Sequence, residues 1–259
     1  MKMHANPAGT AKLWLLNFIG NAAALAAWYF WLLIPDAHGW QVAGSALLAV
    51  CVIFMVVWLR AGTLTYFRLA QFRDGAAIWP SLRRGLQHVI ALALCAAVLG
   101  VVELCLWRLR TYAPQFGVWL WQKLPGALRI GTPHQFMQWT DWVLWFLFWV
   151  KVPAIGLPVL ATVAAMGFQP ARIARALRVL MRPMYWLWFC VLMLIGAYLP
   201  YKLIWWVNYK ADLQAQAWSM GLRFFEAYVI VITAWIALVC FVGWRTEWEN
   251  PERGPQNEL

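Results

Sequence analysis

The stretch Val42–Leu59, VAGSALLAVCVIFMVVWL, runs for 18 residues without a charged side chain. Wound as a helix at 1.5 Å per residue it covers about 27 Å, close to the hydrocarbon thickness of a bilayer. Similar apolar runs lie to either side, at about Leu13–Ile34, Leu86–Trp107, Trp142–Met166, Met184–Val207 and Leu222–Trp244. A backbone inside lipid must bond to itself, so runs of this kind fold as helices. The pattern predicts an all-α, polytopic transmembrane bundle of about six spans. It forms a single integral membrane domain over 1–259, ending in a polar tail at 245–259.

Composition supports this. Hydrophobic residues make up 64% of the chain and charged residues 12%, about half the charged share of a soluble domain. Lys2 and Lys12 precede an apolar stretch that holds Ala24-Leu25-Ala26, a pattern similar to a cleavable leader. The run continues through Trp28 and Phe30 to Ile34, which is long enough to span, and the expectation is a retained helix.

The net charge is +11. In a soluble protein that would suggest nucleic acid as a partner. Here the basic residues fall in short segments between apolar runs, so no nucleic-acid partner is expected. Of the 21 Lys and Arg, thirteen fall on one side of the spans and seven on the other, with Lys151 inside a span. Arg60 and Arg68 count on the richer side, just after the second span. Basic residues stay inside, so both termini are expected in the cytoplasm, in a bacterial inner membrane. Many of the 21 tryptophans stand at span ends, among them Trp40, Trp58, Trp107, Trp142, Trp186, Trp205, Trp206 and Trp244. An indole suits that border, being apolar with one polar N–H.

Two segments read as helices lying on the membrane. Between Pro170 and Pro183, Arg172, Arg175, Arg178 and Arg182 share one face and Ile173, Leu177 and Leu180 another. Such a face fits anionic lipid headgroups. Phe116–Leu124 is expected to rest on the outer surface. Ser81–Leu104 also lies over Ala176–Leu199 without gaps, aligning Leu82-Arg83 with Leu177-Arg178 and Cys95 with Cys190. A repeat of this orientation implies an axis along the membrane normal.

The segment Trp79-Pro80-Ser81-Leu82-Arg83-Arg84-Gly85-Leu86 runs straight into an apolar helix. It resembles an element of six-span bacterial inner-membrane proteins of the YciC-like group, and of the membrane domain attached to some glycerophosphodiester phosphodiesterases. With the second basic segment the resemblance covers about a quarter of the chain. It implies a helical bundle. It carries over no catalytic residue, because no phosphodiesterase domain is present.

Charges inside spans are the best site candidates, because a mid-bilayer charge costs about 2.5–3.5 kcal/mol on insertion scales. Glu103 in the third span and Lys151 in the fourth have opposite sign on consecutive helices, and so do Lys202 and Glu226 in the last two. Each couple is expected to pair, with Arg223 competing for Glu226. Pro153, Gly156 and Pro158 should kink the fourth span and free carbonyls near Lys151. Asn17 and Asn21, at i and i+4, should bond a neighbouring helix, and Ala93, Ala97 and Gly100 should allow close packing. The five cysteines read as small buried hydrophobes.

His4, His38, His88 and His134 are scattered, and no nucleotide, hydrolase or zinc signature occurs. The reading has no catalytic residue, no metal and no cofactor. It leaves a non-enzymatic accessory or scaffold subunit, or an envelope factor contacting lipid, with a membrane-protein partner. The alternative is a transporter of a small solute or lipid with a polar site near Lys151.

Overall fold

The structure is a computed structural model that describes residues 7–35, 37–70, 77–126, 129, 131–206 and 212–245, with only the backbone of Trp244 and Arg245. Asp36, Arg73, Asp74-Gly75, Val207, Lys210, Lys2 and His4, the side chain of Trp244 and the tail beyond Arg245 lie outside the described residues. Among the described residues there is no strand. Six helices are long and apolar enough to cross a membrane: Pro7–Leu32, Gly39–Leu69, Val89–Thr111, Pro133–Met166, Pro183–Trp205 and Leu213–Gly243. The all-α architecture and the six expected spans are present, with shifted ends.

In chain order the elements are α1 (Pro7–Leu32), α2 (Gly39–Leu69), α3 (Ile78–Gln87), α4 (Val89–Thr111), α5 (Ala113–Lys123), α6 (Pro133–Phe146) and α7 (Val152–Met166). Then follow α8 (Pro170–Ala176), α9 (Pro183–Met193), α10 (Leu199–Trp205) and α11 (Leu213–Arg245). They form two compact units. The larger comprises Met1–Ala93 and Pro158–Leu259, the smaller Leu94–Leu157.

In the larger unit α2 does not end with its apolar run. It continues from Arg60 to Leu69. Residues 61–68 are all buried, so packing sustains the helix where hydropathy alone would end it. Much of that burial is against α3. Ser81, Leu82 and Gly85 form the buried face of α3. Gly85 is required there: a Cβ on it would lie 2.8 Å from the Gly62 nitrogen and 2.9 Å from the Ala61 carbonyl carbon. The Trp58 indole donates to the Leu82 carbonyl at 3.0 Å, so this tryptophan clamps α3 to α2. A break at His88 separates α3 from α4, and the third span begins at Val89, not Leu86.

The fourth and fifth spans share a local device. A π-helical turn over Leu147–Lys151 precedes Pro153, and another over Leu194–Tyr198 precedes Pro200. Proline has no N–H to give the fourth residue back, and its ring crowds that carbonyl. Widening the preceding turn accommodates the ring while the helix stays continuous. The expected irregularity near Lys151 therefore takes this form. Pro158 lies inside α7, and Thr162 donates to its carbonyl at 2.7 Å. Gly196, in the second π turn, admits α11: a Cβ on it would lie 2.6 Å from the Ala234 Cβ.

The smaller unit is built on α5 and α6. Thr132 caps α6, its hydroxyl accepting from the Gln135 N–H while the Gln135 side chain accepts from the Thr132 N–H, and Pro133 stands in the first turn. Ala113 is fully buried, and a Cβ on Gly117 would lie 2.8 Å from the Met137 Cα. So α5 is packed onto the start of α6, and only its other face, with Phe116 and Trp119 stacked, is free to meet a surface.

Other expectations change in detail. Pro170–Pro183 is not one helix. It tightens to a 3₁₀ turn over Leu177–Met181, and Arg182 is extended. Pro183 disfavours helical geometry at the residue before it. In the proposed repeat the breaks still correspond to within one residue, at His88 and Arg182. Gly100 faces open space and Ala97 is exposed, so close approach occurs at Gly62, Gly85, Gly117 and Gly196 instead. Cys51, Cys105 and Cys190 are exposed and Cys95 and Cys240 half-buried, all with free thiols. They lie on apolar helices but do not fill the core.

Candidate functional site

In the larger unit, α1, α2 and α11 meet around polar side chains. Leu13, Asn17 and Ala24 are the buried residues of α1. Asn17 is fully buried and donates to the Thr63 hydroxyl at 2.9 Å and the Leu13 carbonyl at 3.0 Å. Thr63 in turn donates to the Leu59 carbonyl at 2.8 Å. One turn further along α1, the side-chain amide oxygen of Asn21 accepts from Arg60 Nη2 at 2.9 Å. The expectation that Asn17 and Asn21 bond a neighbouring helix is met by α2. Gly20 stands between them, and a Cβ there would meet Leu59 Cδ2 at 2.8 Å.

Helix α11 closes the cluster. The Arg60 guanidinium carbon lies 4.6 Å from the centre of the Trp235 ring, a cation–π contact. Tyr228 donates its hydroxyl to the Phe18 carbonyl, and Phe18 packs edge-on to Tyr228 and stacks on Trp14. The Trp14 indole donates to Thr233 at 3.1 Å.

Arg60 is the residue that sequence reasoning misplaced. It is not a loop charge. Asn21 lies eight residues beyond Leu13, where the first apolar run begins, so Arg60 is held roughly 12 Å past that level. Among the described residues it pairs with no carboxylate. Arg60 Nη1 and Trp235 Nε1 are enclosed and have no hydrogen-bond partner among the described residues. The charge is carried by one amide oxygen and one ring face. A signal existed in the sequence: Ala61, Leu64 and Phe67 continue the apolar helical period past Arg60.

The four charges singled out in the sequence behave differently. No ion pair joins Glu103 to Lys151, or Lys202 to Glu226, among the described residues. Glu103 is half-buried on α4, and Lys151 is exposed at the end of the π turn. In that turn Val150 takes the buried position. Widening the turn rotates the following side chain off the packed face. The third and fourth spans are nonetheless tied by an ion pair, Arg110 with Asp141, with contacts of 2.6 Å and 3.1 Å from two guanidinium nitrogens. Gly156, also expected near a kink, lets Leu99 approach to 2.9 Å of where its Cβ would be. In the last spans, Lys202 lies 5.5 Å from the Tyr198 ring centre. Arg223 donates to the Ser219 and Leu203 carbonyls at 3.0 Å and 3.4 Å and stacks on Trp206, rather than bonding Glu226.

Arg110 and Asp141 are 39% and 45% exposed, so solvent weakens their attraction. A double-mutant cycle with Arg110→Ala and Asp141→Ala, read as melting in detergent, should give a coupling of about 1 kcal/mol or less. A coupling several times larger would mean that the pair is shielded from water.

Of the four arginines expected to meet lipid, Arg172 donates to the Met166 sulfur at 2.6 Å and Arg178 is exposed. His38 stands at the start of α2, and His134 lies 3.1 Å from Gln138. Groups of three or more His, Cys, Asp or Glu able to hold a metal ion do not occur among the described residues. Between α5 and α6 an open groove of about 450 Å³ is lined by Pro114, Gln115, Val118, Trp119, Gln122 and Met137.

The fold and this polar knot define a helical chain whose six apolar helices are compatible with an integral membrane protein. No protein-family model, no curated protein and no solved structure matches it.

Proposed function

We propose that the chain is a non-enzymatic integral protein of the bacterial inner membrane, an accessory or scaffold subunit that contacts acidic lipid at its cytoplasmic face. The observation that carries this reading is the use made of the polar groups between α1, α2 and α11. The buried Asn17 and Thr63 and the half-buried Asn21 and Arg60 are bonded across helices to one another or to an indole. A set spent on holding helices together supports a framework rather than a reaction centre.

The arginine-rich end supports the lipid contact. Arg83, Arg84, Arg172, Arg175, Arg178 and Arg182 stand on the short segments α3 and α8 and the turn after α8. The Trp79–Leu86 element lies in α3, whose Ser81, Leu82 and Gly85 are buried. The transporter reading keeps one observation in its favour, the π turn beside Lys151, since π turns recur at functional sites.

Purification in native lipid followed by mass spectrometry tests the choice. The scaffold reading expects a membrane-protein partner at fixed stoichiometry, with acidic lipid retained. A protein that comes alone, with a solute whose retention Lys151→Met abolishes, would overturn it in favour of transport.

A further inference from the structure

Helix α4 is long and apolar enough to cross a membrane, yet its burial is confined to its start. Its buried residues are Val89 and Leu92, and none from Ala93 to Thr111 is buried. Further along, one flank packs. Leu99 lies against Gly156, its Cδ1 2.9 Å from where a Cβ would stand. At 3.6 residues per turn, Gly100, Leu104 and Trp107 fall on the flank beside Leu99. Leu104 and Trp107 are more than half exposed, and a Cβ on Gly100 would meet nothing within 4 Å.

Glu103 stands at the border between Leu99 and that open flank, half-buried. Among the described residues it makes no ion pair and no hydrogen bond. The residues one turn away on α4 are Leu99, Gly100, Leu106 and Trp107, and none is a cation. Arg110, two turns on, is taken by Asp141. Glu226 on α11 differs, because Arg223 stands one turn before it.

The Glu103 carboxylate has no way out of the apolar layer. It lies seven residues, or about 10 Å, inside the level of Arg110, and one turn inside Trp107. Side chains on a helix lean toward its N-terminus, which carries this short one away from the nearer border. A lone charge is expensive in hydrocarbon. Its counter-charge has to arrive from another molecule, on a stem that reaches this depth.

We infer that the flank of α4 holding Gly100 and Glu103 docks a membrane-spanning helix of a partner protein, one that carries an arginine or lysine within its apolar run. Gly100 lets the two backbones approach closely. The cation then reaches Glu103 from the side, and the two charges leave the lipid together. Lipid amines sit at the headgroup level, above the carboxylate. A second copy of this chain meeting α4 with α4 would bring a like charge to the same face. Charge complementarity therefore selects a cationic helix. The inference names the kind of partner for the accessory-subunit reading above and rests on that reading for it.

The probe is a synthetic membrane-spanning peptide of leucine and alanine with a single arginine two turns from one end, or leucine in its place. The whole chain and the peptide carry donor and acceptor dyes in phosphatidylcholine vesicles, and energy transfer reads their association. The arginine peptide should bind roughly tenfold more tightly than the leucine peptide. Glu103→Gln, which keeps the size of the side chain, should remove that preference. Gly100→Leu should weaken binding of both peptides, because its side chain fills the approach while meeting nothing in the chain itself. Glu226→Gln should leave the preference intact. Equal binding of the two peptides, or an undiminished preference in Glu103→Gln, overturns the inference. So does energy transfer between copies of the chain that Glu103→Gln abolishes, since the occupant is then a second copy. Native-lipid purification judges the subunit reading separately. A partner retained at fixed stoichiometry by both Glu103→Gln and Gly100→Leu would overturn the α4 face and leave that reading standing. A wild-type chain that comes alone, with the peptide preference present, would sink the subunit reading and leave α4 as a face for a cationic helix.

Discussion

Replacing Gly85 by leucine should detach α3 from α2 and lower the melting temperature in detergent sharply. The space a side chain would enter is filled by backbone, with the Gly62 nitrogen and the Ala61 carbonyl carbon less than 3 Å from the added Cβ. Backbone on a packed helix cannot turn aside as a side-chain tip can. Overpacking of this kind costs about 3 kcal/mol. Gly100→Leu is the control, since a Cβ at Gly100 meets nothing within 4 Å, and its effect should stay within about 0.5 kcal/mol. Equal melting of the two variants would mean that α3 is not seated on α2 in the membrane.

The second large effect is expected at Arg60. Asn21→Leu removes the one hydrogen bond to its guanidinium found among the described residues and leaves a charge within the apolar layer. Loss of the partner of a buried charge costs about 3–5 kcal/mol, here toward the low end because Trp235 remains. Arg60→Met removes the charge itself and should cost far less, because a packed apolar side chain replaces a desolvated cation. The double variant should melt near Arg60→Met and well above Asn21→Leu. Detergent melting of the three proteins checks the order. Additive losses would show that Asn21 and Arg60 do not act on each other. An Arg60→Met protein that melts normally yet loses its co-purifying partner would show that the charge serves recognition beyond the fold.

The six spans were legible because hydrophobic runs of bilayer length allow one structure. Their ends were less so. A run was closed at the first charge, which put Arg60 outside the second span. The structure keeps it inside, because α11 supplies Trp235 and α1 supplies Asn21, contacts between residues far apart in the chain. Asn17 and Asn21 were readable because an amide on an apolar helix needs a partner. The tie between the third and fourth spans was placed on the right helices and the wrong residues. Depth suggested Glu103 with Lys151, but a π turn re-aims Lys151, and Arg110 with Asp141 makes the bond. The shift in helical period shows only in the backbone. Likewise the small face of Ala93, Ala97 and Gly100 was a fair motif at an unused place, while Gly85 was visible and its partner was not.

The central claim, a six-span protein with its arginine-rich end in the cytoplasm, is tested most directly by cysteine labelling in intact cells. The five native cysteines are replaced, and single cysteines are placed at residues 4, 122 and 255. The account predicts that an impermeant thiol reagent labels position 122 and leaves 4 and 255 unlabelled until the cells are opened. Labelling of either terminus in intact cells, with 122 protected, would contradict it.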